Sequence, residues 1–353
     1  MPQAFLGREW FFREGSIRIK KKKRIANQMT KLEGVALVGD IGGTNARLAL
    51  VNLADGTLSA PIVYSAVDNP SLEQVILRFK KECGQPFDVG CIAIACPISG
   101  DHIKMTNNPW EFSIKEMKAH TGLKTLLVVN DFTAMSMAAA VLPHDKLIKV
   151  GGGERDLNGP AAIYGAGTGL GVGHLIHIGD KWYPLPGEGG HVDMAPANPE
   201  QDKILLALRK RYGHVSYERL LSGPGLVNIC GAIAAEHGRD TLSFTPADVT
   251  RGAFAATPDP DCRKAVDIFC DIMGSFGGDL ALGMATTGGV FIAGGVVIHV
   301  LDYFVKSPFR KSFEDKGRFV NMLKKIPVYV VTDPLAGLQG SAAVIRQELG
   351  AVL

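Results

Sequence analysis

Two glycine–threonine turns are the segments of this chain best suited to bind an anion. The first reads Gly39-Asp-Ile-Gly-Gly-Thr44 and the second reads Gly165-Ala-Gly-Thr-Gly-Leu-Gly171, and each lies between two apolar stretches. This pattern predicts a strand, a tight turn and a second strand. Glycines leave backbone N–H groups uncovered, so such a turn can bind phosphate oxygens. Because each half of the chain has one turn, the sequence predicts a duplicated fold that holds a polyphosphate from both sides, and therefore a nucleotide-dependent phosphotransferase.

Other phosphate-binding loops fit these turns less well. A P-loop is excluded because the pattern G-x-x-x-x-G-K-[ST] does not occur in the chain. The dinucleotide-binding pattern G-x-G-x-x-G is excluded for the second turn because Leu170 stands in place of its last glycine. Both turns also continue into apolar sequence rather than into a capped helix. Ordinary hairpins without a ligand remain the alternative interpretation.

Asp131 is the strongest candidate for a catalytic carboxylate. It follows the apolar stretch Thr125–Asn130, which predicts a buried strand, and it precedes a strong helix-forming segment. Open α/β sheets bind their ligands at the carboxyl ends of their strands. A carboxylate at this position can take a proton from an attacking hydroxyl during phosphoryl transfer. The alternative is that Asp131 only caps the following helix.

Glu188-Gly-Gly-His191 is a second candidate site. A glutamate and a histidine three residues apart can bind a metal on a helix, but the glycines and Pro186 predict a loop here. A carboxylate beside an imidazole suits a polyhydroxyl ligand, whose hydroxyls both donate and accept hydrogen bonds. The polar segment Met105–Trp110 places amides beside an aromatic ring, which also suits a sugar. A structural role for His191 and a plain surface turn at 105–110 are the alternatives.

The composition is that of a globular protein, with 46% apolar and 21% charged residues. A length of 353 residues favours two domains. The six cysteines show neither C-x-x-C pairs nor zinc-site spacing, so we interpret them as core residues of a protein from a reducing compartment. Glycine, proline or charge interrupts every long apolar stretch, so no transmembrane helix is predicted.

The basic charge is concentrated at the start of the chain. Residues 1–33 contain nine Lys or Arg and three Glu, a net charge of +6, whereas the whole chain carries +3 and the remainder therefore −3. The run Arg18-Ile-Lys-Lys-Lys-Lys-Arg24 could bind nucleic acid or a membrane, or act in targeting. The simpler interpretation is a flexible, solvated extension, or translation that truly starts at Met29.

Strands alternate with helices along the rest of the chain, which predicts an α/β fold in two similar halves. A helix is expected from Ser71 to Cys83, with Ser71 and Gln74 forming a capping box. The other expected strands and helices are strands near 35–40, 46–53, 60–65, 88–95, 289–293 and 326–331, and helices near 200–212, 216–221, 262–285 and 337–349.

In this order, the motifs resemble those of the bacterial-type glucokinases, which lie within the superfamily of actin, hexokinase and heat-shock ATPases. The resemblance extends from about Gly34 to Leu353. The segments that carry it are Val38–Arg47, Ala93–Ile98, Met105–Asn107, Asn130–Phe132, Gly165–Gly171, Pro186–His191, Glu218–Gly225 and Ala293–Gly295.

The resemblance implies a duplicated actin-like ATPase (ribonuclease H-like) α/β fold with two domains and a central cleft. Residues 34–141 plus 333–353 would form a small domain, and residues 142–332 a large one. Residues 1–33 would remain a flexible basic extension outside both.

The resemblance also implies roles for individual residues. Asp131 would be the general base on the 6-hydroxyl of a hexose, and Asp40 would hold Mg²⁺ through water. The sugar ligands would be Asn107, Asn130, Glu188, His191 and Glu218. The nucleotide ligands would be Gly39, Asp40, Ile41, Gly42, Gly43 and Thr44 in the first phosphate loop, Gly167, Thr168 and Gly169 in the second, and Gly294 and Gly295 beside the adenosine.

The repressor-and-kinase group of sugar kinases has a zinc-binding cysteine cluster shortly after its Glu-Gly-His segment. Residues 192–229 of this chain contain no cysteine, so the chain resembles the zinc-free group instead. The expected activity is phosphorylation of D-glucose by ATP with Mg²⁺, feeding glycolysis, in a cytoplasmic homodimer that binds no specific nucleic acid or membrane. The alternatives are a kinase of another hexose, such as mannose or fructose, and a non-catalytic sugar sensor. A dehydrogenase is disfavoured by the missing dinucleotide fingerprint.

Overall fold

A computed structural model describes residues 32–240 and 243–353. The predictions for the basic leader, including its flexibility, fall on residues that lie almost entirely outside this range.

The described residues contain thirteen strands. In chain order they are β1 (Val35–Ile41), β2 (Asn45–Asn52), β3 (Ile62–Ser65), β4 (Val89–Ile94), β5 (His102–Lys104), β6 (Glu111–Ser113), β7 (Thr125–Asn130), β8 (Leu147–Lys149), β9 (Ala161–Ala166), β10 (Leu170–Ile178), β11 (Lys181–Gly187), β12 (Gly289–Ala293) and β13 (Val328–Val331).

They also contain twelve α-helices. These are α1 (Leu72–Glu82), α2 (Ile114–His120), α3 (Asp131–Val141), α4 (Pro199–Tyr212), α5 (Gly223–Glu236), α6 (Pro246–Ala253), α7 (Pro260–Met284), α8 (Gly295–His299), α9 (Leu301–Phe304), α10 (Phe309–Glu314), α11 (Val320–Leu323) and α12 (Ala336–Glu348).

The two large sheets repeat one topology. The first has the strand order β3-β2-β1-β4-β7, and the second has β11-β10-β9-β12-β13-β8. In each, an antiparallel three-stranded meander is followed by two parallel strands, and β8 adds an antiparallel edge to the second sheet. The predicted duplicated α/β architecture is confirmed. Both glycine turns occupy the same place, the hairpin between the first two strands of their sheet.

Two helices link the sheets. Helix α3 starts where β7 of the first sheet ends, and it packs on β9, β10 and β11 of the second sheet. Helix α12 follows β13 of the second sheet and packs on β1, β2 and β4 of the first, with Leu338 and Ile345 in a buried cluster with Val38. The two helices touch where a Cβ at Gly340 would clash with the backbone of Ala134. This close approach fixes the position of α3, which carries Asp131 at its first turn.

Most expected elements are present within a few residues of their predicted ends. The Ser71 hydroxyl accepts from the Gln74 N–H at 3.2 Å, which is the first half of the predicted capping box. The prediction of a helix near 216–221 is wrong, since only the single 3₁₀ turn Tyr217–Arg219 forms there. The next helix, α5, begins at Gly223. All six cysteines are free thiols. In the part of the chain that the structure describes, no helix is both long and apolar enough to span a membrane.

Candidate active site

The first glycine turn leaves open space at one of its glycines. A Cβ built on Gly42 would have Asn45 O, at 3.8 Å, as its nearest neighbour, and Gly42 has an ordinary φ. A Cβ on Gly43 would lie 2.9 Å from the Asn107 Cβ, so the fold itself requires glycine there. Packing therefore explains Gly43 but not Gly42. A glycine that the fold does not require is expected where a ligand must approach the backbone closely.

The second glycine turn repeats this arrangement. The Gly167 N–H donates to Gly169 O at 2.8 Å, which closes the turn. A Cβ on Gly169 would lie 2.6 Å from the Glu218 Oε2, whereas a Cβ on Gly167 would meet nothing within 4 Å. Gly167, like Gly42, thus leaves room beside the backbone that the protein does not fill.

The chain reversal after β12 lies beside the second turn. Strand β12 runs parallel to β9, with Ala293 opposite Gly165. Gly294 follows with φ +92°, and a Cβ there would clash with the carbonyl of Ala166. The predicted adenosine segment Gly294–Gly295 and the second glycine turn are therefore neighbours.

The start of helix α5 also meets the second turn, which the sequence did not predict. The Gly223 N–H donates to Gly167 O at 2.8 Å, and the Ser222 hydroxyl caps the helix by accepting from the Gly225 N–H at 3.0 Å. The N-terminus of a 14-residue helix adds partial positive charge beside a turn that could bind phosphate. Serine followed by glycine and proline was the available sequence signal.

Asp131 is not the cap of α3. That role belongs to Asn130, whose Oδ1 accepts from the Phe132 and Thr133 N–H groups at 2.9 and 3.3 Å. The Asn130 Nδ2 donates to Cys96 O at 3.3 Å, so this side chain is held at both ends. Asp131 Oδ1 shares the Phe132 N–H at 3.0 Å. Because Asn130 already caps the helix, the alternative that Asp131 is only a cap loses its support.

The Asp131 carboxyl titrates close to neutrality. Its pKa is raised to about 6, mainly by burial and to a smaller extent by the negative charges of Asp40 and Glu188, while the Phe132 N–H lowers it. Asp40 on β1 and Glu188 in the loop after β11 are therefore both close enough to act on the Asp131 carboxylate. A carboxylate with a pKa just below neutral pH is suited to act as a general base.

Asp40 lies at the end of β1, opposite Arg47 on β2. Burial raises the pKa of Asp40, and the Arg47 guanidinium, 3.3 Å from Oδ2, partly offsets this. Among the described residues no three His, Cys, Asp or Glu side chains gather into a metal cluster. A single carboxylate with its charge only partly compensated fits Mg²⁺, which commonly keeps several waters and takes other ligands from substrate phosphates.

The loop after β11 packs against the second glycine turn. Glu218 connects the two, since its Oε2 accepts from the Leu170 N–H at 2.9 Å and its Oε1 lies 3.9 Å from the His191 Nδ1. A Cβ on Gly190 would clash with Leu170 O. His191 and Glu188 are exposed, and Glu188 and Asn130 border one cavity of about 380 Å³. This volume lies within the range of small-molecule sites.

The structure thus gathers most of the predicted site residues around the ends of β1, β7, β9 and β12. The exposed Asn107 contacts the first turn through Gly43. Thr44 and Thr168 are exposed within their turns, whereas the side chain of Ile41 is fully buried, so that only its backbone could meet a ligand. Gly39 is also buried inside β1, and its carbonyl accepts from the Ser341 hydroxyl at 3.1 Å.

Comparison with known proteins agrees with this arrangement. The family model described as Glucokinase matches residues 37–348. A glucokinase from Salmonella typhi is 54% identical over 318 residues, which cover 90% of this chain and 99% of that protein.

Solved structures have the same fold. The crystal structure of a glucokinase from an Antarctic psychrotroph has a TM-score of 0.82 at 32% identity, covering 89% of this chain and 99% of the other. A ROK family glucokinase from Streptomyces griseus, in complex with glucose and AMPPNP, has a TM-score of 0.58 at 20% identity, covering 89% and 100%, which speaks for the fold alone. With two sheets of one topology, paired glycine turns and these relatives, the chain belongs to the glucokinase family and has the actin-like ATPase fold.

Proposed function

We propose that this protein transfers the γ-phosphoryl group of ATP to the 6-hydroxyl of D-glucose. The observation that carries the proposal is the half-buried Asp131 carboxylate, which lies where β7 ends and close to Asp40, while Gly42 and Gly167 leave open space beside the backbone of the two glycine turns. The family supports glucose as the sugar, because the 54% identical relative is named a glucokinase.

In the proposed reaction, Asp131 accepts the proton of the 6-hydroxyl as that oxygen attacks the γ-phosphorus. The bond from the γ-phosphorus to the bridging oxygen breaks, and ADP leaves with that oxygen. Phosphoryl transfer needs little covalent chemistry from the protein, so positioning and charge neutralisation supply most of the rate. A pKa of about 6 leaves Asp131 mostly ionised at pH 7 and ready to accept a proton.

The two glycine turns would hold the triphosphate through backbone N–H groups, with added positive charge from the start of α5. Asp40 would hold Mg²⁺ through water, and such an ion neutralises phosphate charge when bound. Gly294 and Gly295 would approach the adenosine, because β12 brings them next to the second turn. ATP is proposed as the phosphoryl donor because the resemblance of the motifs to those of the glucokinases implies it, and a protein with the same fold, from Streptomyces griseus, has been crystallised with AMPPNP.

The sugar would lie between Asn130 and Asp131 on one side and the loop of Glu188 and His191 on the other. The carboxylate, imidazole and amide groups there could both donate to and accept from hydroxyls. Asn107 and Glu218 would complete the sugar site. Glu218 is already engaged by the Leu170 N–H through Oε2, which leaves Oε1 for His191 and a ligand.

We further propose that residues 34–141 plus 333–353 form a small domain and residues 142–332 a large one. The first large sheet uses only strands from 35–130, the second only strands from 147–331, and α12 returns to the first. The cleft between the domains would close on the sugar, expelling water that could otherwise accept the phosphoryl group.

A coupled assay of ADP formation with a panel of hexoses, ATP and Mg²⁺ tests the function. We expect glucose to give the highest kcat/KM. A higher kcat/KM for mannose or fructose would make the protein a kinase of another hexose. Absence of turnover with every sugar, in a protein that still binds glucose, would favour the sugar-sensing alternative.

Replacing Glu188 or His191 by Ala should weaken the use of glucose far more than that of ATP. Loss of a hydrogen bond to a charged partner costs roughly 1.5–3 kcal/mol, so kcat/KM for glucose should fall about ten- to a hundredfold. Steady-state kinetics with each substrate varied in turn measures this. A higher KM for ATP with an unchanged KM for glucose would assign the loop to the nucleotide instead.

The leader should be dispensable for catalysis. The family match begins at residue 37, and each site residue lies beyond residue 33. We expect a chain that begins at Met29 to phosphorylate glucose within about twofold of the full chain, because salt screens the long-range electrostatic effect of the positive charges in the leader. If the shorter chain were inactive or unfolded, residues 1–28 would belong to the folded enzyme.

Any binding of nucleic acid should disappear with the leader and weaken steeply with salt.

We also propose a cytoplasmic homodimer that acts in glycolysis. The six free thiols suit a reducing compartment, and the dimer rests on family resemblance. Sedimentation of the purified protein measures the oligomeric state directly.

A further inference from the structure

The side chain of Asn108 connects the first glycine turn to the segment Met105–Trp110. Its Nδ2 donates to Gly42 O at 3.2 Å, and its Oδ1 accepts from the Trp110 N–H at 3.0 Å. Asn108 is half-buried and lies 66 residues beyond Gly42 in the sequence. One amide group therefore holds the phosphate turn against a distant segment of the chain.

The distant segment is firmly anchored. The Trp110 side chain is 1% exposed, and its indole N–H donates to Asn69 O at 2.9 Å. The Trp110 carbonyl accepts from the Met105 N–H at 3.0 Å, which closes the segment into a loop. Asn108 thus holds the Gly42 carbonyl from a support that the core keeps in place.

This contact fixes the orientation of one peptide group. Neither residue of the Gly42–Gly43 peptide has a side chain of its own that would restrain its rotation. In a planar trans peptide the carbonyl and the following N–H point in opposite directions. With the Gly42 carbonyl directed at Asn108, the Gly43 N–H must point away from Asn108.

We propose that Asn108 is a positioning residue for phosphoryl transfer, which holds the Gly42–Gly43 peptide with its N–H toward the nucleotide phosphates. This inference rests on the proposed function, since it takes the first turn to be a phosphate loop. Without the Asn108 donor the peptide can rotate and present its carbonyl oxygen, which repels phosphate. The effect is therefore expected on the nucleotide rather than on the sugar.

Two variants separate the two hydrogen bonds of Asn108. Asn108→Asp keeps an oxygen for the Trp110 N–H and replaces the Nδ2 donor by a second acceptor. Asn108→Ala removes both hydrogen bonds without adding charge. Asn321→Asp serves as the matched control, because Asn321 is an exposed asparagine of α11, outside both glycine turns.

The full chain is titrated by calorimetry with AMPPNP and Mg²⁺, and separately with glucose alone, and KM and kcat are measured for ATP. For both Asn108 variants we expect the Kd of AMPPNP and the KM for ATP to rise about tenfold, as for one lost hydrogen bond to a charged ligand. For Asn108→Asp, which keeps the bond to the Trp110 N–H and removes no hydrogen bond to the sugar, the Kd of glucose should stay within about twofold. For Asn108→Asp the effect should persist at 0.5 M salt, where simple charge repulsion is largely screened. The Asn321→Asp control should match the wild type.

Several results would overturn the proposal. One is an unchanged Kd for AMPPNP in a variant that still folds, and another is an equal loss of glucose affinity. A third is failure of Asn108→Asp to fold in thermal unfolding, because Asn108 would then be structural. A wild-type protein that binds AMPPNP but phosphorylates no sugar refutes only the proposed function, while the AMPPNP titrations still decide the role of Asn108.

Discussion

Replacing Asp131 by Asn is expected to lower kcat by about 10²–10⁴-fold, the usual cost of losing a general base. Asparagine keeps the shape of the side chain and an oxygen for the Phe132 N–H, but it cannot accept the proton of the sugar hydroxyl. The Kd of glucose should remain within about threefold, because the neighbouring Asn130 and the loop of Glu188 are unchanged. Single-turnover kinetics together with glucose titration measures both quantities. A variant that retained more than about a third of the wild-type kcat would exclude Asp131 as the base.

The pH dependence of the wild type should report the same carboxyl. With a pKa of about 6, the ionised fraction of Asp131 falls from about nine-tenths at pH 7 to about one-tenth at pH 5. The kcat/KM for glucose should therefore fall about tenfold between these pH values, and this decline should be absent from the residual activity of Asp131→Asn.

The stability of the wild type should change with pH in the opposite direction to its activity. Burial raises the pKa of Asp131 in the folded protein, so the folded state binds the proton more tightly than the unfolded state does. This carboxyl therefore makes folding less favourable as the pH rises from about 4 to above 6. Asp131→Asn should be at least as stable as the wild type at pH 7, so a loss of kcat cannot be attributed to unfolding. Urea unfolding at pH 5 and pH 7 tests this difference.

The positions of the two glycine turns could be predicted because the local sequence determines them. Apolar stretches on both sides of Gly42 and Gly167 leave a hairpin as the simplest structure, and glycine marks its tip. The role of Asp131 could not be separated from capping in the same way. A strand followed by Asn130-Asp131 and a helix is compatible with either residue as the cap, and only the observed bonds of the Asn130 Oδ1 distinguish them.

The remaining features depend on contacts between distant parts of the chain. Helix α5 is rich in glycine and alanine, and its position follows from the contact of Gly223 with Gly167 rather than from its own sequence. The bond between Asn108 and Gly42 likewise joins two segments that no local pattern relates. Glycines also differ in ways that a sequence does not reveal, since a Cβ on Gly43 would press on Asn107 and one on Gly169 would displace the Glu218 carboxylate, whereas Gly42 and Gly167 have open space.

The open space at Gly167 and Gly42 leads to the second prediction of a large loss of activity. Replacing Gly167 by Ala should leave the fold intact, because the added methyl group meets no protein atom within 4 Å and φ is ordinary. The same methyl group would occupy the space proposed for the nucleotide phosphates. We expect kcat/KM for ATP to fall by about 10²-fold or more, comparable to the loss of one preorganised donor at a reacting group. Gly42→Ala should act in the same way on the first turn.

Gly283→Ala provides the matched control. A Cβ on Gly283 also meets nothing within 4 Å, but this glycine lies in the helix α7. Gly283 is the second-last residue of this helix, and alanine gains at most roughly 0.5–1 kcal/mol over glycine in a helix, so this variant should be at least as stable as the wild type and fully active. If Gly167→Ala and Gly42→Ala behaved like Gly283→Ala in both Tm and KM for ATP, the open space at the two turns would not be where the phosphates bind. If their Tm fell sharply instead, these glycines would be needed for folding, and their conformation rather than a ligand would explain them.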